Sequence, residues 1–125
     1  MTPTLSQVAL GGAIGASARH LTHVGTLRLV GPGFPWATLG INGVGSCLMG
    51  VLVVVLAQTG GIRFAPFLLT GLLGGFTTFS AFSLDAVTLW QRGDGLQAAG
   101  YVMGSVVLSI GALILGMAMT RGVLA

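Results

Sequence analysis

Charge is what this chain has least of. Its 125 residues include five arginines and two aspartates, with neither lysine nor glutamate, and charged residues make up 6% of the total. Soluble domains carry roughly a quarter, so a soluble globular fold is excluded. Arg19, Arg28, Arg63, Arg92 and Arg121 are scattered, and the clustered basic face that nucleic acid requires is missing. The single cysteine, Cys47, allows no intrachain disulfide and suits a small apolar packing residue. Two aspartates, two histidines and one cysteine, spread over the chain, form no catalytic triad and no metal-ligand spacing. His20 and His23 come nearest to a metal pair, but close to a helix end they read as interfacial side chains. No enzyme is expected. Residues 1–10 lack the basic start and cleavage site of a signal peptide, so the first apolar segment is expected to stay on the protein.

Apolar length, by contrast, is abundant. The chain is 54% hydrophobic with a mean hydropathy of +0.98. One membrane helix takes about 20 residues, and the chain divides into four, at about 4–24, 35–57, 64–91 and 95–120. Residues 1–125 thus read as a single all-α transmembrane domain with no room for a soluble one. Many of the 22 glycines lie inside these runs, where small residues let helices approach closely. Gly11 and Gly15 make such a face on span one. Arg19, His20 and His23 are placed near its end, where a basic side chain can snorkel to the interface. Trp36 is an interface anchor for span two. Asp94, with Gln97 three residues on, predicts a variant capping box opening span four.

Short connectors orient membrane proteins through their Lys and Arg bias. Four spans place Arg63 and Arg121 on one side, and Arg28 and Arg92 on the other, with Arg19 deeper in span one. This near balance predicts a chain that inserts both ways, as an antiparallel dual-topology homodimer does.

Span three is too long for one straight crossing. Residues 64–91 would measure about 40 Å as a helix, against a hydrocarbon core of roughly 30 Å. Its middle reads Gly71-Leu-Leu-Gly74-Gly-Phe-Thr77-Thr-Phe79-Ser-Ala-Phe82-Ser83. Gly is a poor helix former and Thr hydroxyls compete for backbone groups, so a break is predicted at the Gly-Gly/Thr-Thr pair. Breaks at membrane depth persist where they face protein, water or an ion. Carbonyls freed near Gly74 and Thr77 are hard oxygen ligands of the kind that hold Na⁺ in broken transporter helices, and two copies about a two-fold axis would supply four.

The polar residues inside the other spans also share faces. Thr38 and Asn42 are four apart on span two, Tyr101, Ser105 and Ser109 form a hydroxyl stripe on span four, and Phe79 and Phe82 are three apart on span three. Hydroxyls and an Asn amide donate hydrogen bonds, and aromatic rings have positive edges. Such a lining suits a small anion.

These residues resemble the Fluc (CrcB) family of bacterial fluoride channels. The resemblance is carried by the span-three stretch just quoted, by Thr38-Leu-Gly-Ile-Asn42-Gly-Val-Gly-Ser46 and by Gly12-Ala-Ile-Gly15-Ala-Ser-Ala-Arg19, and it extends to length and span order. It implies an antiparallel homodimer in the cell (inner) membrane, with two fluoride pores and a structural Na⁺ on the backbone carbonyls of Gly74 and Thr77. Asn42, the ring edges of Phe79 and Phe82, and the polar track Tyr101, Ser105 and Ser109 would line the pore. Arg19 would stand at its aqueous vestibule and Thr38 near it. Where some relatives carry Glu after the motif, this chain has Asp85, whose role that departure leaves open. The implied partners are a second copy, fluoride and the lipid bilayer. The implied function is passive, selective fluoride export. A small multidrug-type dual-topology exporter is the alternative, but it needs an acid in span one, and residues 4–24 have none. A membrane assembly protein, with polar stripes serving only as glue, is the other.

Overall fold

A computed structural model describes residues 2–125, with side-chain surroundings from Pro3 onward. Five α-helices follow in order: α1 (Thr2–Val30), α2 (Trp36–Thr59), α3 (Gly74–Phe76), α4 (Phe79–Gln91) and α5 (Gly95–Leu124). Between α2 and α3 run a 3₁₀ turn, Ile62–Phe64, and a π-helical stretch, Pro66–Leu73. No strand occurs among the described residues.

Among the described residues, three helical segments are long and apolar enough to cross a membrane: Trp36–Thr59, Ile62–Gln91 and Gly95–Leu124. Helix α1, at 29 residues, is longer than expected and continues through Gly25 to Val30. One interior Gly costs only about 1 kcal/mol against Ala. Nearby, the Thr22 and Thr26 hydroxyls donate back to the carbonyls of Ala18 (2.9 Å) and Thr22 (2.8 Å), so they do not compete with the helix. The helix stops at Gly31, whose φ of +81° is a left-handed conformation that a side chain would strain. Arg19, His20 and His23 therefore lie well inside α1 rather than near its end. These three side chains lower its hydropathy, and α1 is not among the segments apolar enough to span alone.

The helices meet where glycines remove side chains. Helices α2 and α5 share the most extensive contact. A Cβ on Gly50 would overlap the Leu113 carbonyl oxygen, and one on Gly116 the Cys47 carbonyl oxygen. Helix α1 packs instead on the π-helical stretch and α3. A Cβ on Gly15 would overlap the Leu72 carbonyl oxygen, and one on Gly75 would come within 2.8 Å of the Gly12 carbonyl oxygen. The small-residue face expected on span one is present, and its partner is span three of the same chain.

The break in span three is real, but it falls on the threonines and not on the glycines. Gly74–Phe76 stay helical, while Thr77 (φ −82°, ψ 158°) and Thr78 (φ −152°, ψ 124°) are extended. Gly75 serves close packing on α1, and the extended backbone suits the β-branched pair. The π-helical turns upstream had no signature that hydropathy could register. Asp94 does occupy the N-cap position of α5, but its side chain makes no capping bond. It lies 3.7 Å from the Arg92 guanidinium instead, which corrects the capping-box expectation.

Candidate functional site around the broken helix

An extended dipeptide inside a helical span leaves backbone groups in need of partners. Asn42, reaching across from α2, takes two of them. Its Nδ2 donates to the Thr78 carbonyl at 2.9 Å, and its Oδ1 accepts from the Thr78 N–H at 2.8 Å. The side-chain amide thus pairs with Thr78 as a neighbouring strand would, and one Nδ2 hydrogen remains. The Thr77 hydroxyl donates to the Leu73 carbonyl at 2.9 Å. The Thr78 hydroxyl caps α4 by accepting from the Ala81 N–H at 3.1 Å. From α1, Arg19 Nε donates to the Gly75 carbonyl at 3.0 Å.

These bonds divert the ordinary helical donors. In a continuous helix the Gly74 carbonyl would accept from Thr78 N–H, and the Thr77 carbonyl from Ala81 N–H. The first donor goes to Asn42 and the second to the Thr78 hydroxyl. The two carbonyls expected to hold a cation are therefore those whose helical donors point elsewhere. No group of three His, Cys, Asp or Glu side chains stands ready for a metal among the described residues.

Two cavities flank this break. The first, of about 360 Å³, is lined by Asn42, Ser46, Thr77, Thr78, Phe79, Phe82, Ser105 and Ser109, with apolar residues completing it, and no acid contributes to it. Ser105 is buried and its Oγ has no hydrogen-bond partner. A buried unpaired hydroxyl is costly, which makes it a donor in want of an acceptor. Phe79 and Phe82 pack with ring centroids 5.4 Å apart. Phe82 is 8% exposed and Phe79 77% exposed, so Phe79 is open on the single chain.

The second cavity, of about 470 Å³, gathers Arg19, His20, His23, Thr38 and Asp85, again with Thr78. The expected site residues thus separate into two groups. Asn42, Phe79, Phe82, Ser105 and Ser109 surround the first cavity, while Arg19 and Thr38 belong to the second. Tyr101 lines neither. It is buried, its ring tilted against Phe82 with centroids 5.2 Å apart, and its hydroxyl donates to Asp85 Oδ2 at 3.3 Å. Two site residues were not anticipated. Ser46 follows Asn42 by four, so the same face rule would have found it. Thr78 stands on both cavity walls, and only its extended backbone reveals that.

A bundle of apolar helices, one broken beside an acid-free cavity with a few polar groups on mainly apolar walls, defines a small polytopic membrane protein built around a pathway or binding site for a small solute. The family model "CrcB-like protein, Camphor Resistance (CrcB)" matches residues 6–117, and the chain belongs to that family. It is 66% identical over 122 residues to the "Fluoride-specific ion channel FluC" of Cereibacter sphaeroides, covering 98% of both chains. It is 55% identical to the protein of the same name from Paracoccus denitrificans over 125 residues and the full length of both. A third, from Ruegeria sp., is 59% identical over 99% of both.

Proposed function

We propose that the protein is a fluoride-selective channel, not an enzyme, that lets fluoride leave the cell passively through the inner membrane. The reading rests on one observation above the rest: a cavity with several hydrogen-bond donors, an unpaired buried Ser105 hydroxyl and no acid, in a chain close over its whole length to proteins named as fluoride channels. Fluoride is small and strongly hydrated, so a pore must replace its water with well-placed donors. The free Nδ2 hydrogen of Asn42, the hydroxyls of Ser105 and Ser109, and the ring edges of Phe79 and Phe82 are those donors. Hydrogen fluoride crosses membranes neutral and dissociates inside. The trapped anion then leaves down an inside-negative potential, which contributes about 2.3 kcal/mol per 100 mV.

The working unit in this reading is an antiparallel dual-topology homodimer, with α1 as the fourth span of each copy. The exposed Phe79 and the open outer side of Gly74, which a Cβ would meet only at 3.5 Å from Leu69, favour a partner at the break. The carbonyls of Gly74 and Thr77 from both copies would hold a structural Na⁺, whose charge ties the copies together and lowers the cost of an anion at mid-membrane. Arg19 and Thr38 belong to the approach, and Tyr101 orients Asp85 and Phe82.

The test is fluoride efflux from liposomes that contain the purified protein, under an imposed gradient and with a potassium shunt. Rapid fluoride release with chloride retained is expected. Folded protein that releases no fluoride refutes the channel.

A further inference from the structure

A line of aromatic rings runs from one end of the bundle to the break. Trp36, the first residue of α2, is tilted against Phe34 with centroids 4.5 Å apart, and Phe34 meets Tyr101 edge-on at 5.5 Å and 89°. Tyr101 in turn packs on Phe82 at 5.2 Å, and Phe82 on Phe79 at 5.4 Å. Of these residues Phe34 alone lies outside a helix, half-buried on the connector between α1 and α2. That connector is tied down on both sides of it. The Arg92 guanidinium, just past the end of α4, donates to the Gly33 carbonyl at 3.3 Å, and the Trp36 N–H donates to the Phe34 carbonyl at 2.9 Å.

The role given to Phe82 depends on where its ring edge points, yet the torsion that turns a phenyl ring is broad and roughly two-fold. Neighbouring rings must therefore hold its plane. Phe79 is open on the single chain, whereas Tyr101 is 1% exposed, so the firm side of Phe82 is the Tyr101 side. The bond from the Tyr101 hydroxyl to Asp85, at 3.3 Å, is longer than the roughly 2.5–3.0 Å usual for O–H···O. Packing thus holds Tyr101 more firmly than that bond does, and the ring on its outer side is Phe34. We propose that Phe34 is a positioning residue for anion passage: from the α1–α2 connector it sets Tyr101, and through Tyr101 the plane of the Phe82 ring. The inference rests on the channel reading and adds to it a residue that lines neither cavity. An aliphatic side chain at position 34 fills the space without fixing an edge, and Phe82 is then freer to turn away from the anion.

Two readouts on the full-length protein test this: fluoride flux in liposomes per folded protein, and the aromatic ¹³C–¹H spectrum of phenylalanine-labelled protein in micelles, with Phe82 assigned by its loss in Phe82→Ile. Phe34→Leu should lower flux about twofold to tenfold, the range that corresponds to the preference of one aromatic pair, and should shift the Phe82 resonances. Phe34→Tyr keeps a ring there and should recover most of both. Arg92→Gln frees the Gly33 carbonyl from an exposed position that cannot empty the core. It should move Phe82 in the same direction and lower flux by less, which keeps the test open if Phe34→Leu fails to fold. Wild-type flux in folded Phe34→Leu overturns the proposal. So does a loss of flux with Phe82 unmoved, or a Phe34→Tyr variant as slow as Phe34→Leu, since Phe34 would then serve packing alone. Phe82 resonances unmoved in Arg92→Gln count against it equally. Folded wild-type protein without flux refutes the channel reading instead, a result that no variant at position 34 can produce.

Discussion

At the scale of residues, Asn42 has the most closely defined position. It is the side chain that supplies both a donor and an acceptor to the extended Thr78, at 2.9 and 2.8 Å. Asn42→Asp keeps the acceptor but sets a carboxylate against the Thr78 carbonyl, and places a negative charge on the proposed anion path. Fluoride flux should fall by more than about a hundredfold, since like-charge and unpaired-carbonyl terms of about 1–3 kcal/mol each act together. Near-normal flux in liposomes would remove Asn42 from the pathway. The aromatic pair gives an independent check. Phe79→Ile and Phe82→Ile keep apolar bulk but lose the positive ring edge, so each should lower flux at least tenfold. Dimer assembly, followed by chemical cross-linking, should survive the Phe79 change. Replacing the buried Phe82, packed against Tyr101, should in addition cost about 1–2 kcal/mol of stability.

Among the elements, α1 and span three behave as one unit because their backbones touch. Gly15→Ala would force a Cβ into the Leu72 carbonyl, and the obstacle is backbone that cannot rotate away. A loss of about 1–3 kcal/mol is expected. Gly12→Ala, with nothing within 4 Å of its new Cβ, should be neutral or slightly stabilising through helix propensity. Unfolding of both variants by denaturant in detergent separates them, and equal stabilities would contradict the packing. This contrast also marks how far the sequence could be read. Long apolar runs and the Gly11/Gly15 face were legible because hydropathy and small-residue spacing report them directly. The break was legible to within a few residues. Its seat on Thr77 and Thr78 was not, because a glycine pair that breaks a helix and one that packs a helix look alike until the partner is known. The extension of α1 to Val30 lies beyond the span expected at 4–24, because a membrane helix of about 20 residues is complete by then. The grouping of Arg19 and Thr38 apart from Asn42 follows from α5 lining one cavity beside the break and α1 the other, which no spacing within one helix encodes.

At the scale of the whole molecule, the single chain leaves much apolar surface uncovered. Leu5, Leu29, Phe79, Leu96 and Val123 are all largely exposed. Lipid is suited to most of this surface, while Phe79, beside the break, is suited to a second copy. If a cation on the Gly74 and Thr77 carbonyls joins the copies, replacing Na⁺ with a large organic cation should lower the dimer fraction at a given protein concentration several-fold, by mass action. Mass photometry in detergent across a Na⁺ titration measures this. A dimer fraction independent of Na⁺ would remove the ion from the assembly.

The partnership between α1 and span three reaches back to the moment of synthesis. Helix α1 leaves the ribosome first, yet it is the helix that does not reach spanning hydropathy by itself, and the glycine surface that accommodates it, Gly71 and Gly75, is translated some 60 residues later. If α1 is the proposed fourth span, a stable transmembrane seat for it waits on span three. Nascent chains halted after Thr59 should leave α1 exposed to an aqueous cysteine or glycosylation probe, whereas chains halted after Gln91 should protect it. Biogenesis of this small protein would then be cooperative along the chain, with its beginning committed to the membrane only once its middle exists.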